Sequence, residues 1–269
     1  LSAFSRVIEI DPAFSEAYFN KGIILEKLGR YEEAVPTFES FFRMVPDRSD
    51  AWYHHGRCLE SLGRDEDAVD SYEKARQNDP HNIELLFLGG KTFSRLKQYE
   101  DAIHIFDIAL AIEPANGELL FEKGQALAEL GRHDQAETVL GEAIIHLPDH
   151  FEPAYLRGLS LMNISRYEDA VRAFDTALEI TGKNPDIWYN KGVSLSRIGQ
   201  HAESVESFGH VLEERAGNID ALLGLGREYY ILGNYREAVK AFDSILEVDT
   251  NHAAAWYEKG LAHYHLKQY

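Results

Sequence analysis

Several groups of residues in this sequence have the side chains for chemistry, and in each case the spacing argues against it. Gly89-Gly90-Lys91-Thr92 has the ending of a phosphate-binding loop, in which backbone N–H groups cradle phosphates and the lysine reaches them. Leu85 stands where the first glycine of such a loop belongs, and the segment reads as the inside of a helix rather than a turn after a strand. Twelve histidines invite a search for metal ligands. His146 and His150 straddle Pro148 and so share no helical face, and neither His54 with His55 nor His263 with His265 has helical ligand spacing. All are expected at the surface or in turns. Asp65, Glu66, Asp67 and Asp70 lack the alternation and glycine of a calcium loop and read as the acidic start of a helix, where the dipole favours negative charge. Asn163-Ile164-Ser165 is a formal glycosylation acceptor, without consequence in the reduced, cytoplasmic setting expected here. Cys58, the only cysteine, can form no disulfide within the chain and reads as a buried thiol in place of alanine. No catalytic centre, cofactor or metal is expected.

The elements that carry these residues are set by a repeat. Gly22, Gly56, Gly90, Gly124, Gly158, Gly192, Gly226 and Gly260 stand 34 residues apart in one unbroken series. Ala34, Ala68, Ala102, Ala136, Ala170, Ser204 and Ala238 keep the same spacing, as do Phe4, Phe38, Tyr72, Phe106, Leu140, Phe174, Phe208 and Phe242. A fixed period of this size marks stacked units, none of which can bury its apolar face without neighbours. Within a unit, Tyr18, Ile24, Leu25 and Leu28 recur at helical spacing. After a break at Leu28-Gly29-Arg30 the pattern resumes with Ala34, Val35, Phe38, Phe41 and Phe42. Each unit is thus an antiparallel helix pair. Pro12, Pro46, Pro80, Pro114 and Pro148 end second helices, and Gly182, Gly217 and Thr250 predict altered turns where that column lapses. Pro36 sits early in a second helix and predicts at most a slight kink. A helical glycine costs about 1 kcal/mol relative to alanine. The series therefore predicts a close helix crossing, with Ala34 and its equivalents facing the gap and Phe38 and its equivalents filling the groove toward the next unit.

With small residues at the eighth and twentieth positions, an aromatic at the fourth or twenty-fourth and proline at the thirty-second, the unit resembles the tetratricopeptide repeat. Residues 15–48 match that pattern from end to end, and full units start at Ser15, Ser49, Ile83, Gly117, Phe151, Pro185 and Ile219. The fold expected is an all-α solenoid, one domain over residues 1–269. Residues 1–14 form the second helix of a partial repeat, 15–252 seven full repeats, and 253–269 the first helix of another. The resemblance implies a right-handed superhelix whose first helices line a concave groove. It implies binding rather than catalysis.

The groove positions that the resemblance implies can be read off. Fifth positions carry Phe19, Tyr53, Phe87, Phe121, Tyr155, Tyr189, Leu223 and Tyr257, an aromatic ladder suited to peptide side chains. Second positions carry Glu16, Asp50, Glu84, Glu118, Glu152, Asp186 and Asp220, an acidic rail. Arg57, Lys91 and Arg95 make the second and third units basic, while Glu118, Glu122 and Glu129 make the fourth acidic. Tyr155, Leu156, Leu159 and Met162 make the fifth apolar, and Arg197 and Arg227 restore positive charge beyond it. A ligand in this register places an apolar anchor on the fifth unit, a basic group toward the fourth and an acidic group toward the second or third. The bland alternative is that these acids and bases pair with one another at little net energy. Lysine positions of the clamp that grips chaperone C-termini hold aromatic or acidic residues here. Asn20 and Asn190 are too few for that clamp or for an asparagine ladder.

Forty-five acidic against 27 basic residues leave a net charge of -18, which disfavours nucleic acid and anionic membranes and attracts basic partners. The expected function is a non-catalytic scaffold that binds an extended or helical segment of another protein. The alternative is the repeat region of a larger signalling or transferase protein, acting as spacer, substrate guide or oligomerisation surface. The chain starts and stops mid-repeat and so reads as a fragment. Leu1, Phe4, Val7 and Ile8 at one end, and the helix expected to end at Tyr269, leave end-to-end self-association open.

Overall fold

A computed structural model describes residues 1–267. Sixteen α-helices, and no strand, are present among the described residues. They fall into two compact units, Leu1–Gly131 and Arg132–Tyr269. The first holds α1 (Ser2–Ile10), α2 (Ser15–Lys27), α3 (Tyr31–Phe42), α4 (Ser49–Ser61), α5 (Asp65–Asn78), α6 (Ile83–Arg95), α7 (Tyr99–Ile112) and α8 (Gly117–Glu129). The second holds α9 (His133–His146), α10 (Glu152–Asn163), α11 (Tyr167–Thr181), α12 (Pro185–Arg197), α13 (His201–Glu214), α14 (Ile219–Ile231), α15 (Tyr235–Val248) and α16 (Ala253–His265). Helix starts follow the repeat register to within one residue. The expected helix end at Tyr269 lies outside the described residues.

Within each unit every helix packs on its sequence neighbours, and first helices also touch the next first helix, as α2 touches α4 and α12 touches α14. This is the all-α solenoid expected from the period. The turn inside six of the pairs has one recurrent form. Arg30 N–H donates to the Leu25 carbonyl and Gly29 N–H to that of Glu26, both at 2.9 Å, which satisfies two carbonyls at the helix end. The same six-residue closure recurs from Arg64 to Leu59, Gln98 to Phe93, Arg166 to Leu161, Gln200 to Leu195 and Asn234 to Tyr229. It needs a left-handed residue, and Gly29, with φ 69°, supplies one. Lys97 (φ 59°) and Ser165 (φ 60°) hold the same place without glycine's freedom. Asn82, Asn116 and Asn218 each cap a first helix, the side-chain oxygen accepting from the N–H three residues on. Gly182 closes α11 at φ 68°, as its place in the lapsed proline column predicts. Gly217 does not adopt that conformation. The cap of α13 is Arg215 instead, at φ -135° and ψ 71°. Pro36 lies within α3 without ending it.

The glycine column is explained by rings. A Cβ on Gly22 would meet Phe38 at 2.7 Å, one on Gly90 would meet Phe106 at 2.4 Å, and one on Gly158 would meet Phe174 at 2.4 Å. Such distances are far inside van der Waals contact, so a side chain there and the ring cannot coexist unshifted. The ring of the second helix therefore lies on its own unit's glycine, besides reaching the next unit, which corrects the expected division of labour. The twentieth position also abuts the glycine, because Ser204 donates to the Gly192 carbonyl at 2.8 Å. Phe38, Phe106, Phe174 and Phe242 are fully buried, each worth about 1.5–3 kcal/mol of burial.

Gly209, inside α13, has no heavy atom within 4 Å of where a Cβ would stand. Gly158→Ala is expected to lower stability by ~1–3 kcal/mol. Gly209→Ala should raise it by up to about 1 kcal/mol, since alanine is the better helix former. Urea unfolding of both variants checks this, and shifts of the same sign would show that the rings do not set the column.

Candidate functional site

In the first unit the expected site residues project from α4, α6 and α8, and most are already engaged. Arg57 lies 3.4 Å from Glu26, and Lys91 reaches Glu122 at 2.8 Å while its ammonium sits 5.1 Å from the centre of the Phe87 ring. Arg95 reaches Glu60 at 2.5 Å and Asp65 at 3.1 Å. The cations that make the second and third repeats basic are thus paired with acids of neighbouring helices, the alternative that sequence left open. Phe121 is half-buried and Glu118 exposed on α8.

In the second unit Tyr155, Leu159 and Met162 are half-buried against the core of Phe174, Leu161 and Ile187, and Leu156 is half-buried outside that cluster. The Tyr155 ring lies 6.0 Å from that of Phe174, and the Tyr189 ring 5.8 Å from that of Phe208. Arg227 donates from Nε to Glu258 at 3.0 Å. Arg197 is exposed and, among the described residues, meets no carboxylate within ion-pair distance.

The aromatic ladder and the acidic rail turn out to be one device. The Tyr53 hydroxyl donates to Glu84, the second-position acid of the next repeat, and burial followed by this bond raises its pKa to about 12. Burial, then the charge of Asp186, raises that of Tyr155, and burial, then Asp220, raises that of Tyr189. Asn190 donates to the Tyr155 hydroxyl at 3.2 Å. These phenols stay protonated on half-buried rings, that of Tyr53 bonded to the acid of the next repeat. The rail is also tied by arginines outside the ladder. Arg48 bridges Glu16 and Asp50 at 2.8 Å each, with its guanidinium 3.8 Å from the centre of the Phe19 ring.

The histidines depart from expectation. His54 meets buried Glu26 at 2.7 Å, and His201 meets buried Glu228 at 2.7 Å, so each carries a carboxylate into the packing between helices. His55 is buried against Phe42 and Trp52, with Nδ1 2.9 Å from Ser71 Oγ. Ser71 Oγ itself donates to the Asp67 carbonyl, so His55 Nδ1 is the donor in that pair. His55 occupies the interior because its ring fills an aromatic cluster, a role that ligand spacing could not reveal. Cys58 is buried as expected, and desolvation raises its thiol to about 12. Gly89-Gly90-Lys91-Thr92 lies inside α6. Among the described residues no group of three His, Cys, Asp or Glu could hold a metal ion, and no helix is long and apolar enough to cross a membrane.

Helix pairs with a shared crossing glycine, rings and acids in register on successive first helices, and ion pairs between repeats define a repeat solenoid. Family profiles described as tetratricopeptide repeat match residues 1–41, 19–83, 93–159, 173–206 and 223–269. The chain belongs to the tetratricopeptide repeat family. Over 43 residues, 16% of the chain, it is 49% identical to an uncharacterized protein of Methanocaldococcus jannaschii, of whose length it covers 46%. Among solved structures it is similar to MamA at 21% identity, over 62% of this chain and 92% of that one, with TM-score 0.60. It is also similar to YrrB, described as a TPR protein with an unusual peptide-binding site, at 23% identity over 66% and 92%, with TM-score 0.60. A tetratricopeptide repeat protein from Parabacteroides merdae matches 92% of this chain and 98% of its own, at 15% identity and TM-score 0.62. Likeness at these identities shows the fold.

Burial, then the charges of Lys74 and Arg64, lower the pKa of His55 from 6.5 to about 4. A depressed imidazole stays neutral in the folded chain while the unfolded chain takes up the proton. Its contribution to stability is therefore intact above 6.5 and is lost progressively as the pH falls toward 4. Urea midpoints measured across that window should fall more steeply for the unchanged chain than for His55→Gln. Parallel profiles would remove His55 as an acid-sensitive group.

Proposed function

We propose that this chain is a protein-interaction scaffold that holds an extended or helical segment of a partner along the exposed faces of its first helices. The observation that carries this reading is the repeated Tyr–acid rung. A half-buried ring with its edge fixed by the next repeat's carboxylate offers apolar area at low entropic cost, beside an acceptor for peptide N–H groups or basic side chains. Tyr53 with Glu84 supplies such a rung in the first unit; in the second, Asn190 of the next repeat donates to the Tyr155 hydroxyl at 3.2 Å, and the charge of Asp186 raises the phenol. Phe87, Phe121 and Tyr189 extend the aromatic series, and Leu156, Leu159 and Met162 add aliphatic surface around Tyr155. Membership of the tetratricopeptide repeat family and the peptide-binding description of YrrB support the same reading. The pairing of Arg57, Lys91 and Arg95 with internal acids makes them struts, so the ligand contacts proposed here are apolar and acid-edged.

Leu156 lies outside the buried cluster, which makes Leu156→Asp a test of binding rather than folding. In quantitative capture from a lysate of the source organism, a partner held by the unchanged chain should fall about tenfold or more with Leu156→Asp, for loss of a central apolar contact. It should persist with Lys240→Asp, an exposed change on second helix α15. Helical circular dichroism verifies that both variants fold. Equal recovery across all three would overturn the first-helix face as the binding surface.

A further inference from the structure

Within the second unit a cleft of about 690 Å³ lies along first helices α12 and α14, with Phe208 of α13 at its floor. Its shape follows from one missing side chain. The sixth position of the other repeats carries Asn20, His54, Leu88, Glu122, Leu156, Asn190 and Glu258, and here it carries Gly224. A Cβ on Gly224 would meet the Phe208 ring at 2.7 Å, whereas the glycine of Phe208's own repeat, Gly192, would meet that ring only at 3.1 Å. The ring is thus displaced toward the next first helix, and bare backbone leaves the cleft above it open. Val193, Leu223 and Ile231 complete apolar walls.

The charges at this cleft are sorted along its length. Asp220 lies at the end near Tyr189, about 10 Å along α14 from Arg227 at 1.5 Å per residue. Glu228 is buried and held by His201 at 2.7 Å. Arg197 lines the other end. Arg57, Arg95, Arg157 and Arg227, the remaining arginines of the described first helices, all reach carboxylates of this chain, and Arg197 reaches none. Arg227 engages Glu258 through Nε alone, leaving its terminal nitrogens without a protein acceptor. In a chain of net charge -18, this lining balances two guanidinium groups against Asp220 and Glu228, and the guanidiniums keep unused donors beside an apolar floor. Guanidinium donors left over in this way match a carboxylate, and the pair gains the strength of charge-assisted hydrogen bonds. A polyanion such as a phosphate ester would also face Asp220 and Glu228, so the match is to one carboxylate next to an apolar group.

We propose that this cleft binds a peptide segment in which an apolar side chain, seated on Phe208 and Gly224, is followed by a carboxylate held by Arg197 and Arg227. This rests on the scaffold reading and adds to it the class of ligand at one place. It also moves the acid-recognising point from the second and third repeats to the sixth and seventh.

Fluorescence anisotropy on the full chain tests it with three labelled nonapeptides in a glycine-serine frame. One carries phenylalanine followed by two glutamates with an amidated C terminus, the second phenylalanine followed by two lysines, and the third phenylalanine at a free C terminus with no acidic residue. The glutamate peptide should bind about tenfold or more tightly than the lysine peptide, with affinity that falls as salt rises. Arg197→Glu should abolish that preference, while Arg236→Glu, an equal change of charge on exposed α15, should leave it intact. Comparable binding by the third peptide assigns the carboxylate to a chain terminus, and its absence assigns it to a side chain. No preference for the glutamate peptide up to about 1 mM, or a preference that survives Arg197→Glu, overturns the proposal. Capture sensitive to Leu156→Asp would stand in either case, so failure here and failure of the scaffold reading are separable.

Discussion

A helix crossing without a side chain in it governs the rest of this structure. At the eighth position of six repeats, Gly22, Gly56, Gly90, Gly158, Gly192 and Gly226, the backbone of the first helix comes close enough to a ring of the second that a Cβ would lie 2.4–3.1 Å from it. Glycine in a helix costs about 1 kcal/mol, and the ring packed onto it returns about 1.5–3 kcal/mol through burial. The net gain is small for one pair, so it acts only when repeated and stacked. That contact sets how close the helices of a pair lie and where the first helix turns its outer face. The residues three and six positions before the glycine, the ring and acid columns, recur on that face from one repeat to the next.

Register, in turn, decides which charges are available. Acids at second positions and tyrosines at fifth positions share one face of successive first helices, and Tyr53 meets Glu84 of the next repeat. Cations on the same face find acids of adjoining helices and become struts, as Lys91 does with Glu122 and Arg95 with Glu60 and Asp65. Exposed pairs of this kind add little stability singly. Their larger effect is to remove charge from the surface on which a ligand would be read, so that the unpaired Arg197 stands out against a paired background.

The histidines show a different trade. His55 gives up protonation to fill an aromatic cluster, and His54 and His201 carry buried Glu26 and Glu228. Buried carboxylates without partners would be costly, and an imidazole can meet them either as a neutral donor or as a cation. The place of Glu228 holds Ile24, Cys58, Thr92, Ala126, Ser160, Ser194 and Ala262 in the other repeats, so a carboxylate enters a packing position there with His201 to meet it.

The repeat, the helix pairs and the positions of the first and second helices were legible in the sequence, because a 34-residue period with glycine, alanine and aromatic columns leaves one way to bury each face. The asparagine caps are local signals of the same kind, Asn82, Asn116 and Asn218 each standing one residue before a first helix. What tertiary structure alone decided was partnership. Arg95 and Arg197 occupy the same thirteenth position of their repeats, yet one is tied to Glu60 and Asp65 and the other is free, since the outcome depends on acids some 30 residues away. The shift of Phe208 from Gly192 toward Gly224 is of the same kind. Periodicity along the chain specifies which residues share a face, whereas distances across the packing specify which of them neutralise one another, and only the latter leaves a cleft with unused donors.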